Sequence, residues 1–400
     1  MAPSSASSSG RLDRSGAAPT RVYLDYAGFS PVDPRVIAVM RPFLEGGIGN
    51  PSALHSLGEE ARASLEGARS KVARLFGATP AGVIFTASAT EANNLAFRGI
   101  AGRADGRHVV TSAIEHISVI NCARDLEKRG YAITYVPVDG DGRIDPRAVA
   151  AAIRPDTILV SVMAANGEIG TIQPVREIGH VVRARGVPFH VDAVNAAGHI
   201  AIGVEDAAID LLTVSSNDLY GPPGAGALWV RPEVKLTPMV LGAGQERGYR
   251  AGTENVPAIV GMGVAADLVR AERDAEGARL VALRDLLLDG ILARIPHSRR
   301  TGAPAGARLP HHASLVVSGV KADGVLMELD AKGVLGSSGS ACNTLTGAPS
   351  HVLRAIGCDG EAAEGSLCFT LGRWTTPADV DAVLELTPPI VSRLRRLAPR

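Results

Sequence analysis

Four short segments gather residue types able to do chemistry. In FTASATEANN (Phe85–Asn94), small hydroxyl residues follow an apolar run and open a helical pattern. A helix N-terminus offers unpaired N–H groups and the positive end of a dipole, which suit a phosphate. The same residues suit an ordinary N-cap by Ser88 or Thr90, with Glu91 in the first turn. FHVDAVNAAG (Phe189–Gly198) places Asp192 at the C-terminal end of a strand pattern, where doubly wound sheets bind ligands. It could pair with a protonated ring nitrogen or cap a helix. SAIEHISV (Ser112–Val119) puts His116 just past another strand. That histidine is either a satisfied structural residue or one that stacks on a flat ring and shuttles protons. GVLGSSGSACN (Gly333–Asn343) carries Cys342 in a Gly/Ser-rich loop, which predicts an exposed, mobile thiol rather than a core one.

The elements that must position these residues follow from periodicity. Apolar runs at Val83–Phe85, His108–Ser112, Ile133–Val138, Thr157–Met163, Phe189–Ala193, Leu211–Ser216 and Gly226–Val230 read as buried strands. Amphipathic stretches lie between most of them. In Glu59–Phe76, residues Ala61, Leu65, Ala68, Val72, Ala73 and Phe76 recur at helical spacing. This alternation predicts an α/β fold, a mostly parallel sheet with helices on both faces, over residues 21–256. From Pro257 the rhythm changes to a long helix reaching about Ile295 and broken near Gly277. Strands at Ser314–Ser318 and Leu367–Leu371, a helix over Ala322–Lys332 and a closing helix over Pro377–Leu397 complete a smaller α+β domain over residues 257–400.

The chain has 400 residues, and its 41 Lys+Arg balance 41 Asp+Glu, so no bulk field points to nucleic acid or an anionic membrane. No apolar run is long enough to span a bilayer. Residues 1–20, rich in Ser, Ala, Gly and Pro, read as a disordered tail without the apolar core of a secretory signal. Cys122, Cys342, Cys358 and Cys368 form no CxxC pair, so neither a zinc ribbon nor a disulfide scaffold is indicated, and a reducing cytoplasm is expected. No metal site is expected. P-loop, HExxH, GxSxG and EF-hand patterns are absent, and Gly242-Ala243-Gly244 with Gly248 does not follow a strand as a dinucleotide loop would. The five lysines are Lys71, Lys128, Lys235, Lys321 and Lys332.

Taken together, VYLDYAGFSPVDPRV, GNPSALHSLGEEAR, FTASATEANNLAFRG, SAIEH, AANGEIGTIQP, HVDAVNAAG, SSNDLYGPPGAGALWV, GAGQERGYRAGTENV, SSGSACNT with PSHVLRAIG, and LCFTLGRWTT give a chain that resembles the cysteine desulfurases. These are class-V aminotransferases of the pyridoxal phosphate (PLP) fold type I, and the resemblance runs from about Val22 to Leu397. It implies PLP as cofactor, with Thr90 and the neighbouring amides at Ala89 holding the phosphate, aided by Ser215. Thr253 would reach in from a second subunit, which implies a homodimer. His116 would stack on the ring and Asp192 would pair with its nitrogen. Asn195 and Asn217 occupy further cofactor-contact positions. Cys342 would attack the sulfur of L-cysteine, or accept it from another donor, and carry it as a persulfide. An iron–sulfur scaffold or another sulfur-acceptor protein would receive it.

The departures are chemical. The Schiff-base lysine of the family lies in a Ser-x-His-Lys-x-Tyr-Gly-Pro segment, and Ser215–Pro222 places Asp218 at the lysine and Asn217 at the histidine. Gly167 stands where a ring-proximal Asn is usual, Asn195 replaces Gln, and Cys368 stands at the Arg that would bind a substrate carboxylate. An aspartate forms no imine and sets negative charge where carbanion density would develop. Losing one positioned proton-transfer group typically costs about 10²–10⁴-fold in rate. The sequence therefore predicts a sulfur-transfer or iron–sulfur assembly protein with a degenerate PLP site. The alternatives are a lysine-independent PLP desulfurase, with His116 or Asp218 moving protons, and a non-catalytic binding partner.

Overall fold

The computed structural model describes residues 21–47, 49–339, 350–358 and 360–397. The expected tail over residues 1–20 and the segment containing Cys342 lie outside the described residues. The strands are β1 (Val22–Tyr23), β2 (Val83–Thr86), β3 (His108–Ser112), β4 (Ala132–Val136), β5 (Thr157–Met163), β6 (Phe189–Asp192), β7 (Leu211–Ser215), β8 (Gly226–Val230), β9 (Ser298–Arg300), β10 (His312–Val317), β11 (Val334–Leu335) and β12 (Ser366–Thr370). The helices are α1 (Pro34–Leu44), α2 (Ser56–Leu75), α3 (Ala89–Ala101), α4 (Ile117–Lys128), α5 (Pro146–Ala152), α6 (Val175–Arg183), α7 (Val194–Ala197), α8 (Val256–Arg294), α9 (Ala322–Asp330), α10 (His351–Ala355), α11 (Gly360–Glu364) and α12 (Pro377–Leu397).

The central sheet has the order β2-β8-β7-β6-β5-β3-β4. The pairs β7–β6, β6–β5, β5–β3 and β3–β4 are parallel, whereas β8 runs antiparallel to both β7 and β2. Strands β3, β5, β6, β7 and β8 are buried along their whole length. Their β-branched and aliphatic runs suit a sheet covered on both faces, where no polar alternation is required. Two apolar clusters cover the two faces: Val110, Val160, Val162, Val191 and Leu212 on one, and Val109, Leu159, Leu211 and Leu228 on the other. This is the period-2 alternation of a strand.

A second, three-stranded sheet of order β12-β10-β9 packs with α9, α12 and the C-terminal half of α8 around Leu287, Ile291, Leu315, Phe369 and Val383. Strand β1 pairs in parallel with β11, so the first described residues join the chain near its end. Helix α8 is continuous through Gly277, which corrects the expected break. One interior glycine costs only about 1 kcal/mol relative to alanine, and α8 buries sixteen side chains or backbones along its length. Its approach to α2 demands a small residue, because a Cβ on Gly263 would lie 2.7 Å from the Ala68 Cα. No described helix is long and apolar enough to cross a membrane.

Candidate cofactor site

Parallel strands aligned in one direction bring their C-terminal ends to one edge, and the chain segments leaving them converge there. Ser88–Thr90 follow β2, Glu115 and His116 follow β3, Asn166–Glu168 follow β5, Val194 and Asn195 follow β6, and Asn217 and Asp218 follow β7. Together with Asp25, Ser337, Gly339, His351, Val352 and Cys368 they line a cavity of about 360 Å³. The structure thus brings Ala89, Thr90, His116, Asn195, Ser215, Asn217 and Asp218 to one cavity. Asp192 sits just behind its wall, at the end of β6.

One end of the cavity is an anion cradle joined to a polar relay. Ser88 caps α3, its Oγ accepting from the Glu91 N–H at 3.2 Å. Glu91 reaches back to accept from the Ala87 N–H at 2.8 Å and pairs with Arg250 at 2.9 Å. The backbone N–H groups of Ala89 and Thr90 make no hydrogen bond among the described residues, as expected for the first turn of a helix. A Cβ on Gly226 would fall 2.9 Å from the Ala89 nitrogen, so the turn can approach β8 only over a glycine.

Deeper in, the Asn93 Nδ2 donates to Asp192 Oδ2 at 2.8 Å and to Ser118 Oγ at 2.9 Å. The Ser118 Oγ lies 2.8 Å from the His116 Nδ1, which also accepts from the Ser118 N–H at 3.2 Å. That assigns the imidazole proton to Nε2. Asp192 Oδ1 accepts from the Val194 N–H at 3.1 Å. Both of its oxygens are therefore acceptors in these hydrogen bonds. Asn93 and Ser118 are residues that sequence reasoning missed. Both lie on helical faces, and periodicity does not say which polar residue turns inward.

The other end is acidic. Burial pushes the Asp218 carboxyl up to about 7, with the nearby Asp192 charge adding to the rise and Ser215 opposing it. Glu115 is fully buried and is raised to about 8, again mainly by burial, with Asp192 adding to it. Its Oε1 accepts from Ser112 Oγ at 2.5 Å and from the Met163 N–H at 3.0 Å, while its buried Oε2 has no partner. Burial likewise lifts Glu168 to about 7 and Asp25 to about 6. Glu168 accepts from Ser350 Oγ at 2.5 Å, which ties the start of α10 to the cavity. No lysine or arginine lines the cavity among the described residues. Lys71 and Lys321 are engaged with surface acids, and Lys235 with the Pro232 carbonyl.

Cys368 occupies the wall from β12, buried, with its Sγ 3.4 Å from the His312 Nε2. Burial raises this thiol and keeps it protonated. His312 shares the same N–H with the Gly167 carbonyl at 2.9 Å. The departures at 167 and 195 are linked, since a Cβ on Gly167 would lie 2.6 Å from the Asn195 Oδ1. Ser215 Oγ donates to Asn217 Oδ1 at 2.5 Å. Thr253 is exposed and lines a different pocket, with Arg250, Glu254 and Glu246, so its own chain does not bring it to this cavity. That segment is bolted to the cradle by Glu246, which accepts from both Arg69 guanidinium nitrogens at 2.8 Å and from the Phe85 N–H at 2.8 Å.

PLP has three recognisable parts, and these residues meet two of them. Two free amides at a helix start fit its phosphate, and a doubly bonded acceptor carboxylate fits its ring N–H. For the third, the aldehyde, no amine lines the cavity among the described residues, and Asp218 does.

Residues 22–383 match the family model described as aminotransferase class-V. The chain is 47% identical over 379 residues to cysteine desulfurase IscS 1 of Archaeoglobus fulgidus, covering 94% of this chain and 98% of that one. It is 43% identical over 380 residues to cysteine desulfurase IscS of Dictyoglomus turgidum, covering 94% and 96%. Among solved structures it superposes on a NifS-like protein with a TM-score of 0.87 at 33% identity, covering 94% of this chain and all (100%) of that one. It superposes on SspA in complex with cysteine with a TM-score of 0.79 at 34% identity, covering 89% and 100%.

Proposed function

Because the chain belongs to the cysteine desulfurase family of class-V aminotransferases, we propose that it serves sulfur transfer and iron–sulfur assembly through Cys342, beside a vitamin B6 cleft without a covalent anchor. The observation that carries this reading is the pairing of a complete binding end with an inverted reactive end. The Ala89 and Thr90 amides and the His116–Ser118–Asn93–Asp192 relay are intact, while Asp218 takes the place of the lysine.

When bound, PLP supplies an electron sink for negative charge at an amino-acid Cα. The chain's own residues do the rest. The Ala89 and Thr90 amides hold the phosphate, with Ser215 once its hydroxyl turns from Asn217. Asp192 keeps the ring nitrogen protonated. His116, oriented through Nδ1, presents an Nε2–H to the ring face. Asp218 holds a proton near neutrality but offers no amine, so the cofactor is bound non-covalently and turnover is weak or lost.

Cys342 receives sulfur as a thiolate. It attacks the outer sulfur of a persulfide donor, the donor S–S bond breaks, the donor leaves as a thiolate, and a new S–S bond forms on Cys342. A scaffold or acceptor thiolate removes that sulfur by the same exchange. The relatives named cysteine desulfurase and the solved relative holding cysteine support this chemistry. The protein acts as a homodimer in which Thr253 of one subunit faces the cradle of the other.

The test combines two measurements on the full chain. After exposure to a persulfide donor, mass spectrometry should find one added sulfur on Cys342, absent in Cys342→Ala. Sulfide and alanine released from L-cysteine should be low or undetectable. A persulfide confined to Cys368 or Cys358 would overturn the carrier role, and rapid alanine release would overturn the degenerate site.

A further inference from the structure

We propose that this cleft takes the aminated form of the vitamin B6 phosphate, pyridoxamine phosphate, in preference to the aldehyde, and that Asp218 is the residue that selects it. The inference rests on the B6-cleft reading above and deepens it by naming the ligand's oxidation form.

Two of the ligand's features are common to all B6 phosphates: the phosphate, which meets the α3 amides, and the ring N–H, which meets Asp192. The forms differ only at the carbon that the family's lysine engages. An aldehyde there calls for an amine on the protein, and an ammonium calls for an acid. Residue 218 is an acid, 9% exposed, in the one-turn helix Asn217–Leu219 that follows β7.

Its surroundings reinforce the choice. Asp25, Glu115, Glu168 and Asp218 line the cavity without a lysine or arginine among the described residues, and His116 and His351 are the basic groups present. Glu115, beside this cavity, is fully buried, and its Oε2 has no hydrogen-bond partner among the described residues, so it adds an acid behind this wall rather than a contact in it. Cys368, at the family's arginine position, removes the other cation that would have welcomed an anionic group at this end.

An uncharged aldehyde gains nothing from such a wall, whereas an ammonium gives the Asp218 proton a reason to leave. Opposite charges roughly 5–6 Å apart at an effective dielectric of about 20 interact strongly enough for more than about a tenfold difference in affinity.

The experiment titrates the full chain, stripped of bound B6, with three ligands at mildly alkaline pH, and reads calorimetry and ligand absorbance after ultrafiltration. The ligands are pyridoxamine phosphate, pyridoxal phosphate and pyridoxine phosphate, which carries a neutral alcohol at the same carbon. Pyridoxamine phosphate should bind at least about tenfold more tightly than the other two, which should resemble each other. Asp218→Asn should bring the three within about threefold, and Asp218→Lys should invert the order, with melting curves confirming that each variant is folded. Equal or tighter binding of the aldehyde by the unmodified protein would overturn the inference and leave the cleft reading standing. So would an amine preference that survives in folded Asp218→Asn. Failure of all three ligands to bind would overturn the cleft reading and this inference with it.

Discussion

The two ends of one cavity have had different fates. At the cradle end most groups belong to elements packed on the large sheet, although Thr90 itself is exposed. Ser88 caps α3, Asn93 lies buried on the same helix, Asp192 ends β6, and Ser118 belongs to the first turn of α4. At the other end Asp218 and Cys368 line the cavity, and no lysine or arginine does among the described residues; on the proposed reading these two stand where the family places cations. Groups built into the sheet and helices cannot change without cost to the fold, whereas a side chain that only lines the cavity can, so the proposed reading treats binding and covalent chemistry as separable in this site.

The largest expected effect comes from restoring the missing function at the changed end. Asp218→Lys should convert a PLP that dialysis removes into one that survives dialysis and, after borohydride reduction, remains on residue 218 through denaturation. If PLP still washes out of a folded Asp218→Lys protein, the two ends are not separable and the cradle has drifted as well.

The next effect probes how firmly the cradle is bolted. Glu246 is buried against Arg69 and holds left-handed backbone at φ 46, which a non-glycine residue adopts only under constraint. Breaking a buried ion pair by removing one partner costs roughly 3–5 kcal/mol. Glu246→Ala should lower the denaturation midpoint accordingly and weaken phosphate binding, because the Phe85 N–H beside the cradle loses its acceptor. A midpoint unchanged in chemical denaturation would show that the cradle does not depend on this bolt.

A smaller effect belongs to the ring contact. Asp192→Asn keeps the shape but removes the charge that pairs with the ring nitrogen. Charge-assisted hydrogen bonds are worth roughly 1.5–3 kcal/mol, so affinity for any B6 phosphate should fall about 10–100-fold. Equal losses for the amine and aldehyde forms would sharpen the division of labour between Asp192 and Asp218. A loss confined to one form would blur it.

Sequence reasoning read the buried strands well, and β3, β5 and β8 have the bounds expected from their apolar runs. Long β-branched stretches between turn residues leave few other conformations. It did not mark β1 and β11 as strands, because two-residue strands carry no local pattern and their pairing, Val22 with Val334, is decided by distant chain. Thr90, His116 and Asp192 could be placed just past strand ends from pattern alone, whereas Ser215 and Asp218 entered only through the family resemblance; Thr90, His116, Ser215 and Asp218 line one cavity. Asn93, Ser118 and the buried Glu115 were not, since a helix or loop polar residue gives no local sign of whether it faces water or a neighbour. His312 beside Cys368 was hidden for the same reason as β1, since the two residues lie on neighbouring strands far apart in sequence.

The gentlest test asks whether the acidic end weakens the fold that the cradle end supports. Asp25, Glu115, Glu168 and Asp218 hold their protons to about 6, 8, 7 and 7, mainly through burial, whereas an unfolded chain releases them nearer 4. A carboxyl with a raised folded pKa stabilises the fold fully at low pH and loses that contribution as pH rises through its folded value. Buried histidines act in the opposite direction. His190, His199 and His312 are pushed down to about 3 by burial, so their neutral forms support the fold above about 6.5 and cease to do so as pH falls. Above about pH 6.5, where the histidines no longer titrate in either state, the ligand-free protein should therefore lose stability as pH climbs to about 8. Asp218→Asn should remove part of that alkaline loss, on the order of 1 °C for each kcal/mol recovered, and leave the acid limb unchanged. Bound pyridoxamine phosphate should do the same, since its ammonium lets Asp218 ionise without penalty. An alkaline limb of equal slope in Asp218→Asn would mean that the acid at the lysine position exacts no strain from the fold, and the contrast between the two ends would then be chemical only.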